Sequence, residues 1–438
     1  MGNNTINIGI IGYGTVGGGT LEVLVDNREI IKDKTGFDLR VKSVADLKID
    51  EIDDGYLDFV DNKTTDAYDI INDDEIDIVI ELIGGYSPAK TFILDALNNK
   101  KHVVTANKAL LAVDGKDIFQ TAEENNVCLG FEGSVGGGIP VIRVLKEDLV
   151  ANNVKEIYGI INGTANYILT KMEEEEMEFA DALIDAQSMG YAEADPTFDV
   201  EGTDTAHKIA ILASIAFNTV VPFENVFVEG ISSIKHVDVE FARKLGCKIK
   251  LLAIAKKNDK DIEVRVHPTI IPNNYLLSKV QGVFNSIYFV SDKLDRTIHY
   301  GRGAGSLPTG SAVVSDVISI ARDMACKCHS RVPVLGFKKD YTSYFPVKDI
   351  NDIISSFYLR FSAEDKPGVL SKIAGVLGKH NISINSAIQP TQTSPENIVP
   401  LVFMTYETTG RNVKDAVEEL NDTEFVRDKT VVLRVEGI

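Results

Sequence analysis

Residues 190–208 read Gly-Tyr-Ala-Glu-Ala-Asp-Pro-Thr-Phe-Asp-Val-Glu-Gly-Thr-Asp-Thr-Ala-His-Lys, which sets five carboxylates ahead of one lysine. Clustered acids facing a cation suit proton transfer, or the gripping of a substrate ammonium. Asp204 and Lys208 stand four apart and so share a helix face. As an exposed pair they would contribute only a few tenths of a kcal/mol. The run Ile209–Phe217 that follows is apolar nearly all round, and a helix of that kind is buried. Lys208 at its first turn then points into protein or into a cleft. A buried lysine among carboxylates can be tuned for acid–base work near neutrality. Hydride transfer to a carbonyl leaves an alkoxide that needs a proton, and a lysine ammonium can supply it. A substrate ammonium would take Glu193 or Asp204 as its partner. Asp195 and Asp199 flank Pro196, and Asp195 reads as turn chemistry.

A second cluster has the pattern that holds a hydride carrier, a dinucleotide. Ile8-Gly-Ile-Ile-Gly12-Tyr13-Gly14-Thr-Val-Gly17 is G-x-G-x-x-G, placed after a strand pattern and opening a helix. Gly12 allows the tight turn, Gly14 the approach of a pyrophosphate, and Gly17 close helix–strand packing. The helix N-terminus adds N–H donors and positive partial charge. The expected acid after the second strand is Asp46, which favours a ribose hydroxyl and hence NAD. Lys48 could instead meet a 2′-phosphate, so NAD and NADP both stay open. Thr105-Ala-Asn107-Lys108 follows a strand, at the end of a parallel sheet where ligands bind. Thr105 and Lys108 are therefore candidates too, against the plain alternative of a surface loop.

Glu132-Gly-Ser-Val135-Gly-Gly137-Gly-Ile139 joins one carboxylate to a glycine-rich turn with exposed carbonyls. Oxygen-only donors suit a hard cation, although a domain joint is the default reading of such glycines. Cys326-Lys-Cys328 has no matching second pair and is a poor zinc motif. With Cys128 and Cys247 it implies reduced thiols. The chain carries 438 residues, 44% hydrophobic and 25% charged, with net charge −20. It can bury several cores, and a broad basic face for nucleic acid is excluded. Met1–Thr5 runs straight into a strand pattern, so no signal peptide is expected, and Ile6 breaks the myristoylation pattern. No apolar run is long enough to span a membrane. A cytoplasmic location is expected.

The elements that must hold these groups fall into three blocks. Over residues 1–135, apolar strands (Ile6–Ile11, Leu39–Ala45, Ile76–Ile83, His102–Thr105, Val127–Phe131) alternate with helices (Val16–Ile31, Ala89–Asn98, Gly115–Glu124). That is a Rossmann-type parallel sheet, with residues about 301–330 and their helix Ser311–Met324 added. Residues 136–300 read as a mixed sheet with helices, a substrate domain: helical Ile139–Leu149, strand Val154–Ile161, helical Asn166–Met189, strands Ile262–Pro268 and Val283–Val290. The acidic run Glu173–Glu176 reads as a solvated face or loop. Residues 338–355 are a linker. Residues 356–438 read strand, helix, strand, strand, helix, strand, the βαββαβ ferredoxin-like order.

Ile11–Gly17, Val104–Lys108, Glu132–Pro140, Ile161-Asn-Gly-Thr-Ala-Asn-Tyr167, Gly190–Pro196, Asp204–Lys208 and Gly301-Arg-Gly-Ala-Gly305 together resemble homoserine dehydrogenase over roughly residues 6–330. Phe361–Leu377 resembles an ACT domain, a module that binds amino acids. The resemblance implies NAD(P)-dependent interconversion of L-aspartate 4-semialdehyde and L-homoserine, in threonine and methionine synthesis. It implies Lys208 as proton donor, Lys108 assisting at the substrate hydroxyl, and Asp199 ordering the site. Gly190, Glu193 and Asp204 would bind homoserine. Thr15, Val16, Lys108, Gly303 and Gly305 would contact the cofactor. Glu132 with the carbonyls of Val135, Gly137 and Ile139 would form a structural sodium site. The family is dimeric through its middle domain, which makes residues 136–300 the mixed α/β catalytic and dimerisation domain, and threonine is the effector expected at the ACT loop around Asp365 and Gly368. Basic residues after the second strand mark NADP-preferring members, and only Lys48 stands here. The rival readings are an ACT-linked dehydrogenase of another amino-acid pathway, which would want an Arg/His site, and a non-catalytic nucleotide and amino-acid sensor. Retention of both lysines favours catalysis.

Overall fold

The computed structural model describes residues 5–328, 331–389 and 397–437; the reading made at Met1–Asn4 lies outside them. The fold is α/β throughout. The strands run in chain order β1 (Thr5–Ile11), β2 (Asp38–Ala45), β3 (Asn62–Thr64), β4 (Ile78–Glu81), β5 (His102–Thr105), β6 (Leu129–Gly130), β7 (Val154–Ile160), β8 (Phe227–Val228), β9 (Cys247–Lys257), β10 (Ile262–Pro272), β11 (Phe284–Ser291), β12 (Asp295–Arg302), β13 (Ile354–Glu364), β14 (Ile384–Ile388), β15 (Ile398–Thr405), β16 (Thr408–Thr409) and β17 (Val431–Val435). Two compact units divide the chain. One holds residues 1–161, 204–226 and 284–345, the other residues 162–203, 227–283 and 346–438.

The first unit contains a six-stranded sheet in the order β3-β2-β1-β4-β5-β6, parallel at every pairing. Strands such as β4 and β5 are buried at every residue, as expected of a parallel sheet covered by helices on both faces. The order reverses between β1 and β4, the switch point where doubly wound sheets bind nucleotides. The same unit holds β7, β11 and β12, paired antiparallel in that sequence. Helix Ser306–Ala325 packs against helix Thr15–Asp26, with Gly19 so close to Ser306 that a side chain there would overlap it.

In the second unit β9 and β10 form a long antiparallel pair, and β8 adds parallel to β10. The C-terminal region is the βαββαβ module: strands β17-β13-β15-β14 lie antiparallel, with helices Val369–Lys379 and Gly410–Asn421 contributing Ile373, Leu377, Val413 and Leu420 to its core. This module is not a free appendage. Its last strand pairs with β10 through Thr269↔Arg434 and Ile270↔Val435. The Arg265 guanidinium, 1% exposed, meets the Glu436 carboxylate at 2.5 Å. Val347, inside the expected linker, bridges to Ile262.

Several elements depart from the expected ones. The helical pattern at Val16–Ile31 is two helices, Thr15–Asp26 and Arg28–Thr35, parted at Asn27. The span Asn166–Met189 is likewise two, Gly163–Glu174 and Phe179–Ser188. The first of these ends inside the run Glu173–Glu176, because acids at a helix C-terminus oppose its dipole. The helix expected from Gly115 begins at Lys108. Ile139–Leu149 carries a π-helical turn at Val144–Asp148 rather than a full helix. Strands β9 and β12 and helix His236–Lys244 had no reading in the sequence. Among the described residues no helix is long and apolar enough to cross a membrane.

Candidate active site

The fingerprint loop leaves β1 and enters helix Thr15–Asp26. Gly12 has φ +98°, and a Cβ there would lie 2.7 Å from the Leu82 backbone just past β4. Gly17 packs as tightly: a Cβ would fall 2.2 Å from the Gly12 carbonyl oxygen. Gly14 differs, because a Cβ would meet nothing within 4 Å. The loop is therefore closed on its protein side and open at Gly14, the cradle a pyrophosphate needs at a helix N-terminus. Asp46, after β2, accepts from the Tyr13 N–H at 2.8 Å and the Lys48 N–H at 2.9 Å. It braces the loop while keeping acceptor capacity on both oxygens. The Tyr13 hydroxyl donates to Asp54 at 2.8 Å, and burial followed by that hydrogen bond pushes its pKa well up. Thr15 is exposed, Val16 half-buried. Ser306 donates to the Thr15 carbonyl at 2.8 Å, which sets Gly303 and Gly305, at the head of helix Ser306–Ala325, beside the fingerprint helix.

Between β4 and β5 the sequence concealed a network. Glu81, fully buried, accepts from the Ile83 N–H at 2.8 Å and the Thr105 hydroxyl at 2.7 Å. Burial drives its pKa up against these bonds. Thr105 in turn accepts from the Asn107 N–H at 3.0 Å. Asn107 caps helix Lys108–Asn125 through the Leu110 N–H and ties down Gly85. Thr105 thus fixes the start of the Lys108 helix, and its hydroxyl is already engaged.

Lys108 and Lys208 come together on one carboxylate. Asp204 Oδ2 lies 2.6 Å from Lys208 Nζ, and Asp204 Oδ1 lies 3.3 Å from Lys108 Nζ. Lys208 also donates to the Ile161 carbonyl at 2.7 Å. Helix Thr203–Ala216 is buried from Asp204 to Ile215, so the pair sits in protein as its apolar surroundings require. Lys108 is a third exposed. His207, between them in sequence and 1% exposed, stacks on Phe223 at 4.2 Å. Burial pushes its imidazole down to about 4; Asp204 opposes this and the Lys108 and Lys208 ammoniums reinforce it. A neutral ring thus stands beside two cations sharing an anion.

Glu132, 4% exposed, accepts from the N–H groups of Val141 (2.6 Å), Ile142 (2.8 Å) and Arg143 (2.8 Å). Oε1 takes two of these and Oε2 one, which leaves Oε2 an acceptor position. Val135, Gly137 and Ile139 are buried beside it in the chain, with Gly136 and Gly137 at positive φ. Carbonyl and carboxylate oxygens are the donor type a hard cation takes, and three N–H bonds hold the Glu132 carboxylate in place.

Gly190, Glu193 and Asp199 belong to the second unit. Gly190 and Glu193 are exposed on the turn after helix Phe179–Ser188, and Gln187 holds the Glu193 carbonyl at 3.1 Å. Asp195 accepts from the Thr197 N–H at 3.1 Å, an Asx turn, and its contacts with Thr197 lower its pKa. Asp199 accepts from the Asn162 amide at 2.7 Å. In the C-terminal module Gly368, φ +91°, begins helix Val369–Lys379, and Asp365 accepts from Gln389 at 3.3 Å. Sequence reasoning missed Glu81, Asn162, His207, Ser306 and the Ile161 carbonyl. Glu81 had a signal, an acid ending an apolar strand. A backbone carbonyl has none.

Three family models cover most of the chain. One described as the homoserine dehydrogenase NAD-binding domain matches residues 12–132, homoserine dehydrogenase itself residues 140–318, and the ACT domain residues 357–425. A homoserine dehydrogenase of Neisseria gonorrhoeae is 43% identical over 436 residues, 99% of each chain. The crystal structure of a homoserine dehydrogenase from Thiobacillus denitrificans superposes with TM-score 0.92 and 42% identity, over 99% of this chain and 98% of that one. A hyperthermophilic archaeal homoserine dehydrogenase mutant in complex with NADPH matches 72% of this chain and 97% of its own, with TM-score 0.62 and 27% identity. With a nucleotide cradle at the switch point and two lysines on one buried carboxylate, the chain belongs to the homoserine dehydrogenase family of NAD(P)-dependent oxidoreductases and carries an ACT domain.

Proposed function

We propose that the enzyme interconverts L-aspartate 4-semialdehyde and L-homoserine, with Lys208 as the proton donor. The observation that carries this is Asp204, whose two oxygens engage Lys208 at 2.6 Å and Lys108 at 3.3 Å. Held at the Gly12–Gly17 loop, a nicotinamide cofactor would supply the hydride that the aldehyde carbon accepts. The carbonyl oxygen, becoming an alkoxide, takes a proton from Lys208 Nζ, and solvent returns one to the lysine. Lys108 stabilises the same oxygen and reaches the cofactor. Asp204, held by both ammoniums, fixes Lys208 on the Ile161 carbonyl. Gly190, Glu193 and Asp204 bind homoserine, and Asp199 orders them. Gly12, Tyr13, Gly14, Thr15, Val16, Gly17, Asp46, Thr105, Gly303 and Gly305 line the nucleotide. Asp46, with Asp54 close by on Tyr13, supports NAD, while Lys48 keeps NADP in play.

Threonine at Asp365 and Gly368 is the proposed effector, and the pairing of β17 with β10 supports a route from that module into the rest of the second unit. Sodium held by Glu132, Val135, Gly137 and Ile139 is proposed as structural. We also propose at least a dimer and a cytoplasmic location; Cys128, Cys247, Cys326 and Cys328 are all free thiols.

The test is absorbance at 340 nm with homoserine, run separately with NAD⁺ and NADP⁺. Silence with both overturns the reading. Threonine is then titrated into the full chain and into its Asp365→Ala variant, and equal responses remove the feedback role. Sodium should raise the melting temperature over potassium if Glu132 holds it.

A further inference from the structure

The segment Ile161-Asn-Gly-Thr-Ala-Asn-Tyr167 supplies the carbonyl that holds Lys208 and the amide that holds Asp199. Asn162 begins helix Gly163–Glu174 in the second unit and is 5% exposed. Its Oδ1 accepts from the Ala165 N–H at 2.8 Å, the N-cap bond. Ser, Thr or Asp would cap equally well. Only an asparagine that spends its carbonyl on the cap still offers an NH₂. That Nδ2 donates to Asp199 Oδ1 at 2.7 Å. The amide orientation is fixed by the cap, because the reverse rotamer would set NH₂ against N–H. Two residues on, the Thr164 hydroxyl donates to the Tyr191 carbonyl at 2.7 Å, next to Gly190.

The helix start is itself held. Gly163 admits no side chain, since a Cβ would lie 2.9 Å from the Val283 carbonyl. Asn166, 1% exposed, donates to the Gly282 carbonyl at 2.8 Å and accepts from Lys250 at 3.0 Å. Lys250 donates also to the Val280 carbonyl at 2.7 Å. At the far side, the Ile231 N–H clamps the Val200 carbonyl at 2.8 Å, immediately after Asp199. Both ends of the Asn162–Asp199 contact are therefore anchored.

We propose that Asn162 is a positioning residue for the reaction: its amide sets the Asp199 carboxylate, and Thr164 sets the Gly190–Tyr191 turn. This rests on the dehydrogenase reading above. Asn162→Asp keeps the cap and replaces the donor by an acceptor facing Asp199. Asn162→Ser keeps a cap and loses the reach. In both, kcat for homoserine should fall on the order of 10- to 100-fold, as for a displaced supporting group. The KM for the cofactor should stay within about two-fold and the melting temperature within a few degrees. A merely structural role would lower the melting temperature and spare kcat. If Asn162→Asp fails to fold, Asn162→Ser decides. An active wild type with variants of near-normal kcat overturns the positioning role alone. A wild type inactive on homoserine overturns the dehydrogenase reading and the positioning role with it.

Discussion

Asp238 is the anchor that ties the C-terminal module to the rest of its unit, and replacing it by alanine should be costly. Its carboxylate is fully buried on helix His236–Lys244. Oδ1 accepts from Arg360 Nε at 2.6 Å and the Tyr358 hydroxyl at 2.9 Å. Oδ2 accepts from Arg360 Nη2 at 3.0 Å and the Lys235 N–H at 3.2 Å. Arg360 and Tyr358 stand on β13, the first strand of the module, 3% and 0% exposed. Without the carboxylate, a buried guanidinium keeps its charge and loses its counter-ion. Removing one member of such a pair costs about 3–5 kcal/mol. For a unit of this size that is about 6–20 °C in melting temperature. Tyr358→Phe, which removes one hydrogen bond, should cost only about 1 kcal/mol. The double variant Asp238→Leu/Arg360→Met leaves no buried charge and should recover most of the loss. Thermal unfolding followed by circular dichroism reads all four proteins. A single Asp238→Ala variant that melts with the wild type would refute the argument. So would a double variant no better than the single.

Two buried bases should mark the pH profile of stability, in different windows. His207 has a folded pKa of about 4 against an ordinary 6.5. Between those values the unfolded chain takes up a proton that the folded one refuses, so stability falls as pH drops through the window. The full effect is on the order of 3 kcal/mol, and His207→Leu should remove it from acid-denaturation curves. Lys250, lowered by burial to about 8 from 10.5, should make stability rise with pH between those values. The difference in denaturant stability between wild type and Lys250→Met should grow by up to about 1.4 kcal/mol per pH unit there, and a flat difference would contradict it.

What the sequence revealed depended on how local the signal was. The nucleotide-binding loop was legible because Gly12, Gly14 and Gly17 each answer a separate steric demand within six residues. The buried helix behind Lys208 was legible from its unbroken apolar surface. The C-terminal module was legible because its strands and helices alternate cleanly. Strand β9 was not, since it is buried on both faces and lacks the alternation of a half-exposed strand. Helix breaks at Asn27 and Glu175 left no Gly or Pro to announce them. Asn162 looked like any other residue preceding a glycine, because its second bond goes to Asp199, 37 residues away. The sharing of Asp204 by Lys108 and Lys208 joins residues a hundred apart in the chain, and only the folded first unit shows it.

The central claim is that Lys208 delivers the proton, and its most direct test is steady-state kinetics on Lys208→Ala. With homoserine and the preferred cofactor, followed at 340 nm, kcat should fall by about 10²- to 10⁴-fold, the loss typical of a general acid–base group. KM should change little, because the group acts mainly in the transition state. A variant that folds like the wild type and keeps a near-normal kcat would contradict the account.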